Sequence, residues 1–268
     1  MYLHKAFILT LVGTAAAAFP PAGISACDAR SGPKTVALIE LYTSEGCSSC
    51  PPADRQLSRI RQVLDPAADA VPLAMHVGYW DYIGWKDPYS NAAFDQRQSW
   101  LAKTNRQGTV YTPQFFVSGL TISSPQDQLR EEVQRLNALP SAAAIRVHAG
   151  PSTADTLEVT VEATSASTGS ASVLYVAVTE SGLVSHVTRG ENSGATLAHD
   201  HVVRAWFGPF HLANGLARFH RVVQLPANWS RRMLEVTAFV QDERSGRVLQ
   251  ALRTKDCLGS RILTKALP

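Results

Sequence analysis

The stretch Glu40-Leu41-Tyr42-Thr43-Ser44-Glu45-Gly46-Cys47-Ser48-Ser49-Cys50-Pro51-Pro52-Ala53-Asp54 limits the possible folds more than any other in the chain. The apolar run Val36 to Leu41 reads as a strand, it stops at Thr43 and Ser44, and a helix-like pattern begins after Pro51 and Pro52. The two cysteines, with two small residues between them, therefore occupy a strand-to-helix turn. A helix start presents unpaired N–H groups and the positive end of the helix dipole, and both favour a thiolate over a thiol. The expected roles are nucleophile for Cys47 and resolving thiol for Cys50.

The flanking sequence continues in the same style. Asp54 to Leu64 places Leu57, Ile60, Val63 and Leu64 on one helical face, and Val71 to Val77 reads as a second buried strand, so the pair suggests a right-handed strand-helix-strand unit. Asn91 to Lys103 is helix-compatible, with Asn91 a cap and Gly108 beyond its end. Phe115 to Gly119 and Leu120 to Ile122 read as a hairpin. Pro125 opens a last helix carrying Leu129, Val133 and Leu136, and Pro140 closes this half. Beyond Ser141 the period changes to short alternating segments rich in β-branched and aromatic residues: Ile145 to His148, Leu157 to Val161, Val173 to Val178, Val202 to Phe207, Leu216 to Val223 and Leu234 to Val240. Turn formers such as Gly150-Pro151, Gly208-Pro209 and Asn214-Gly215 separate them. The expectation is an α/β domain over residues 33–140 followed by an all-β, sandwich-like domain over residues 141–260.

With 268 residues, 45% hydrophobic and 18% charged, the chain can bury a sizeable core. Lys5 is the only Lys, Arg, Asp or Glu in residues 1–26, and an apolar run from Ala6 to Phe19 followed by small residues gives that segment the pattern of a secretory signal. Without it, 24 basic residues face 22 acidic ones, a bias too weak to argue for nucleic acid. The expected destination is periplasmic or secreted, where disulfides persist. Ile24-Ser25-Ala26-Cys27 also resembles a bacterial lipobox, and on that alternative the protein is an inner-membrane lipoprotein facing the periplasm, touching the membrane only through a lipidated Cys27. Against lipidation stands the cysteine arithmetic: of four cysteines, two form the dithiol, leaving Cys27 and Cys257 as a structural disulfide.

The order strand, Cys-x-x-Cys, helix, strand, helix, Thr-Pro, strand, strand, helix resembles that of a thioredoxin-like domain. Such domains carry a cis-proline against the dithiol at the place where Thr112-Pro113 falls, so this bond is expected to be cis, which an X-Pro peptide permits at small cost. The stretch Thr43 to Asp54, together with His76 to Pro88, Val110 to Gln114 and Leu197 to Arg204, resembles the DUF1223 family of secreted thioredoxin-like proteins over nearly the whole mature chain. Gly78 is a departure, since the family favours an acid there. The resemblance implies thiol-disulfide exchange in which Cys47 attacks, Cys50 resolves, and Thr112 and Pro113 shape the site. It implies no cofactor, and the expected partners are protein thiols or disulfides, with no nucleic acid.

Several further residues have two readings each. Tyr79, Trp80, Tyr82 and Trp85 either line a substrate groove at the active-site rim or pack in the core. Glu45 either opposes or relays the Cys47 proton, or is a solvated turn acid. Asp81 and Asp87 are expected to fix loops. His76 is either a satisfied core histidine or a third ligand beside Cys47 and Cys50, which would make the protein a copper metallochaperone. No metal is favoured, because copper chaperones of the thioredoxin-like type space their cysteines by three residues rather than two. His199-Asp200-His201 is either a second metal site or structural, and a structural role is favoured because, read as strand, it puts both histidines on one face at a polar edge.

Overall fold

A computed structural model describes residues 26–165 and 171–255. The secretory-signal pattern before residue 26 and Cys257 lie outside the described residues, so the Cys27–Cys257 pairing does too. The elements run β1 (Cys27–Arg30), β2 (Ala37–Thr43), α1 (Cys50–Ser58), α2 (Ile60–Val63), β3 (Ala70–His76), α3 (Ala92–Thr104), β4 (Gln114–Val117), β5 (Leu120–Ile122) and α4 (Pro125–Asn137). There follow β6 (Ala143–Thr153), β7 (Thr156–Ser165), β8 (Ser172–Glu180), β9 (Leu183–His186), β10 (Thr196–His199), β11 (Val202–His211), β12 (Leu216–Gln224), β13 (Leu234–Asp242) and β14 (Val248–Arg253). The fold is mostly β-sheet with few helices.

Local chemistry accounts for the helices. α1 carries prolines in its first turn, where no intrahelical donor is needed, and buries Cys50, Ala53, Asp54 and Leu57 along one stripe. The single helix expected from Asp54 to Leu64 is interrupted at Arg59, which leaves helical geometry between α1 and α2. Asn91 caps α3 by accepting the Ala93 N–H at 3.0 Å. In α4, Leu129, Val133 and Leu136 are buried as their spacing predicts.

Eight strands form one sheet in the order β14-β13-β8-β11-β3-β2-β4-β5. The change of period near residue 141 does not interrupt it. β2 and β3 are parallel, with Thr43 opposite His76, and β11 joins β3 in parallel at Val202 and Ala74, where the Ala74 N–H donates to the His201 carbonyl at 2.9 Å. β2 is buried on both faces, as a central strand must be. Ile39 and Leu41 pack under α1 and α4, while Leu38 and Tyr42 point to the α3 side with Phe94 and Leu101. A second sheet, β1-β6-β7-β12, covers the other end of the large one, and Val147, Val159 and Val161 meet Val176, Val236 and Val240 between the two.

Besides the β3–β11 joint, other contacts bind the α/β part to the strands that follow, among them these two. Glu40 of β2, fully buried, accepts from Arg97 of α3 through both oxygens, at 2.6 and 3.1 Å, and Arg97 also donates to Gln241 of β13 at 3.0 Å. The guanidinium lies over the rings of Tyr175, Phe239 and Trp206 at 4.7, 5.0 and 5.2 Å. Second, Gly119 in the β4–β5 turn has a φ of +84° and abuts Gly246, whose carbonyl oxygen would lie 1.7 Å from any Cβ added there, so only glycine fits.

Candidate functional site

Cys47 and Cys50 form a disulfide in the turn between β2 and α1. Two successive turns build it: the Cys47 N–H donates to the Ser44 carbonyl and the Cys50 N–H to the Cys47 carbonyl, each at 3.2 Å. Both cysteines are buried, whereas Ser48 and Ser49 between them are exposed. The helix start is a poorer source of N–H groups than its position in the sequence suggests. Cys50 has already given its N–H to Cys47, and Pro51 and Pro52 have none.

One wall of the turn comes from the β4 side. Thr112-Pro113 is cis, and the Thr112 carbonyl lies 3.8 Å from Cys47 Sγ, which also has Ser49 Oγ at 3.3 Å. Trp80 Nε1–H donates to Thr112 Oγ1 at 2.7 Å. The aromatic residues split between roles. Trp80 and Trp85 are half-buried with their indole N–H groups used in the site, Tyr79 packs on the α3 side, and Tyr82 is exposed. At Gly78 the N–H donates to Asp95 Oδ1, and a Cβ would approach the carboxylates of Asp95 and Asp81, so acids reach this spot from elsewhere in the chain.

Beneath the turn lies a buried cluster of acids and imidazoles at the carboxyl ends of β2 and β3. Glu45 is not a solvated acid: it is buried, its Oε2 accepts from Trp85 Nε1–H at 2.8 Å, and its Oε1 pairs with His199 Nε2 at 3.0 Å. His76 Nδ1 pairs with Asp87 Oδ2 at 2.7 Å, and that oxygen also accepts the Glu45 N–H. The His76 and His199 rings meet edge-on with centroids 5.0 Å apart, and His199 Nδ1 is 3.9 Å from Asp54 Oδ2. Among the described residues, Asp54 Oδ1, His76 Nε2 and His199 Nδ1 find no hydrogen-bond partner. Burial lifts the Asp54 carboxyl above its ordinary range, against the pull of His76 and His199. Burial disfavours the charged form of His76, but the Asp87 carboxylate outweighs it and the imidazole is raised overall. Burial likewise pushes Asp87 up, and the His76 charge with two backbone N–H bonds brings it below its ordinary value.

The third wall comes from the loop joining β9 to β10. Asn192 Nδ2 donates to the carbonyls of Glu45 and Cys47 at 2.8 and 3.0 Å, and Glu191 Oε2 accepts the Ser48 N–H at 2.9 Å. Sequence reasoning missed both residues, since nothing in a polar loop between strands marks which side chain crosses to another turn. It also misjudged His199-Asp200-His201. The chain turns there, with His201 at a φ of +58°, so His199 ends β10 facing Glu45 and does not share a strand face with His201. The structure brings Cys47, Cys50, Thr112 and Trp80 together, with Pro113 following Thr112 across the cis bond. His76 is engaged by Asp87, and among the described residues no three His, Cys, Asp or Glu side chains stand where they could hold a metal ion.

A family described as "Protein of unknown function (DUF1223)" matches residues 38–241. The chain belongs to the DUF1223 family. That span takes in the dithiol turn, the Thr112-Pro113 side, the acid–imidazole cluster and the β9–β10 loop, so the whole site lies within the DUF1223 region. No curated protein matches the chain. Among solved structures, HBP35 of Porphyromonas gingivalis is similar with a TM-score of 0.64 and 16% identity, over 88% of this chain and 79% of that one. Protein AGR_C_4864 from Agrobacterium tumefaciens is similar with a TM-score of 0.56 and 22% identity, over 86% of this DUF1223 chain and 97% of that one. At these identities the likeness is one of fold.

Proposed function

We propose that this protein is an exported, thioredoxin-like dithiol-disulfide oxidoreductase acting on protein thiols or disulfides through Cys47 and Cys50. The observation that carries the reading is the Cys47–Cys50 disulfide at the start of α1, with Cys47 Sγ facing the carbonyl of a cis Thr112-Pro113 peptide. The element order β2, α1–α2, β3, α3, β4, β5, α4 supports the thioredoxin-like assignment, and the sequence pattern of residues 1–26 supports export.

In the reducing direction, the Cys47 thiolate attacks one sulfur of a partner disulfide and displaces the other as a thiolate, forming a mixed disulfide. Cys50, losing its proton, then attacks Cys47 Sγ, which closes the Cys47–Cys50 bond and releases the partner as a dithiol. Two electrons pass from this protein to the partner. Oxidation of a partner dithiol runs the same steps backwards. Asp54 lies one turn beyond Cys50 on the same buried stripe of α1, and its raised carboxyl is suited to hold and return the Cys50 proton.

Trapping tests the reading directly. The Cys50→Ser variant, expressed in its native host, is expected to accumulate mixed disulfides through Cys47 that dithiothreitol releases and that Cys47→Ser abolishes. No trapped partner and no redox cycling of the parent protein, together with tight Cu(I) binding lost in His76→Ala, would replace this reading with metal carriage.

A further inference from the structure

The loop spanning residues 187–195 is braced within itself. Val187 N–H donates to the Ala195 carbonyl at 2.9 Å, Gly194 N–H to the Val187 carbonyl at 2.8 Å, and Ser193 Oγ to the Thr188 carbonyl at 3.0 Å. Glu191 and Asn192 are not consumed by this bracing. Both reach the dithiol turn, Asn192 taking two of its carbonyls and Glu191 the Ser48 N–H. Glu191 is an exposed side chain whose carboxyl is held below its ordinary range by the Ser48 backbone bond, so it is an anion at neutral pH.

Its position matters because Ser48 follows directly on Cys47. Pro51 and Pro52 lack N–H groups, the Cys50 N–H is bonded to the Cys47 carbonyl, and the Ser48 N–H is taken by the Glu191 carboxylate, which is thereby held at the residue next to the nucleophile. Among the charged groups beneath the turn, Glu45 is paired with His199, Asp87 with His76, and Asp54 is a further acid; α1 also carries Arg55, and the β9–β10 loop carries Arg189, which packs toward Gly84. A negative charge placed next to a nascent thiolate favours the thiol.

We propose that Glu191 and Asn192 make the β9–β10 loop part of the dithiol site, with Asn192 holding the turn and Glu191 restraining ionisation of Cys47. The inference rests on the redox reading above and adds to it the group that sets how acidic the nucleophile becomes. When a small dithiol reduces the protein, the reagent gives two electrons and two protons, becomes its own disulfide, and leaves Cys47 and Cys50 as thiols. Cys47 then loses a proton to solvent, and that second equilibrium is the one Glu191 opposes. Because a restrained thiolate destabilises the reduced form, Glu191 also makes the disulfide harder to reduce. Glu191 is a positioning residue for this chemistry; it does not itself exchange electrons.

Glu191→Gln keeps an oxygen for the Ser48 N–H and removes the charge, so a purely structural role would leave it silent. In the Cys50→Ser background, iodoacetamide alkylation of Cys47 is followed against pH, with and without Glu191→Gln. The midpoint is expected to fall, with the rate at a pH below it rising about two- to fivefold, the size of one charge near a helix start. At 1 M salt, where screening reaches about 3 Å, the difference should shrink. In the otherwise unaltered protein, Glu191→Gln should raise the reduction potential. A protein that cycles with dithiothreitol but whose midpoint and potential ignore Glu191→Gln overturns this inference and leaves the redox reading standing. A Cys47–Cys50 pair that neither reduces nor re-forms overturns both.

Discussion

Asp54 illustrates how a single side chain is kept at a cost. It is almost wholly buried, one of its oxygens finds no hydrogen-bond partner among the described residues, and burial raises its carboxyl. A carboxyl raised by folding contributes to stability where it is protonated, below its unfolded value, and that contribution is lost as pH rises through the folded value. Asp54→Asn should therefore melt at a higher temperature than the parent at pH 7, and the gap should close as the pH approaches the unfolded carboxyl value. If Asp54 carries the Cys50 proton, the same variant should release mixed disulfides about 10²-fold more slowly. Equal release rates in the two proteins would leave Asp54 with no part in the exchange. Of the site's residues, Cys47, Cys50, Thr112 and Pro113 were legible because each has a local mark: spacing, a strand end, an X-Pro peptide. Glu45 and His199 were not, because burial of an acid depends on the histidine that meets it, which sequence places 154 residues away.

At the scale of elements, α3 is tied to the sheet by a buried ion pair as well as by its apolar face. Arg97 joins it to β2 through Glu40 and to β13 through Gln241, with little exposure of either charge. Removing one partner of a buried pair strands the other, so Arg97→Met should destabilise the protein by about 3–5 kcal/mol in urea, whereas Arg97→Met with Glu40→Met should recover most of it. A single variant that loses less than about 1 kcal/mol would mean that water reaches Glu40 once Arg97 is gone. The helices and most strands of this protein were readable as periods of burial, and β8, β11, β12 and β13 appear where alternating or apolar runs predicted them. The break between α1 and α2 was not, since Ile60 and Leu64 continue the apolar face of α1 and the interruption at Arg59 leaves no gap in it.

For the molecule as a whole, the joint between β3 and β11 decides what counts as a folding unit. The residues that line the α3 side of the sheet come from both sides of residue 141: Leu38, Met75 and Phe116 with Val203, Ala177 and Phe239. Residues 27–140 expressed alone should therefore lack a sharp denaturation transition, and the full chain should lose near-ultraviolet and far-ultraviolet dichroism together. Two well-separated transitions in the full chain would count against this. Sequence could not show the joint, because a parallel pairing between distant segments leaves no periodic trace in either one, and the shift to alternating strands reads as a boundary when it is only a change in what covers the sheet. The joint also bears on how the chain is made. β3 is synthesised early with β2 ready on one side, but its other edge has no neighbour until Val202 and the residues after it arrive. Until then the growing polypeptide carries an open strand edge beside apolar surface, the kind of template on which chains stick to one another. Delivery of the whole chain ahead of folding, as happens when a protein is threaded unfolded through a translocation channel, removes that interval.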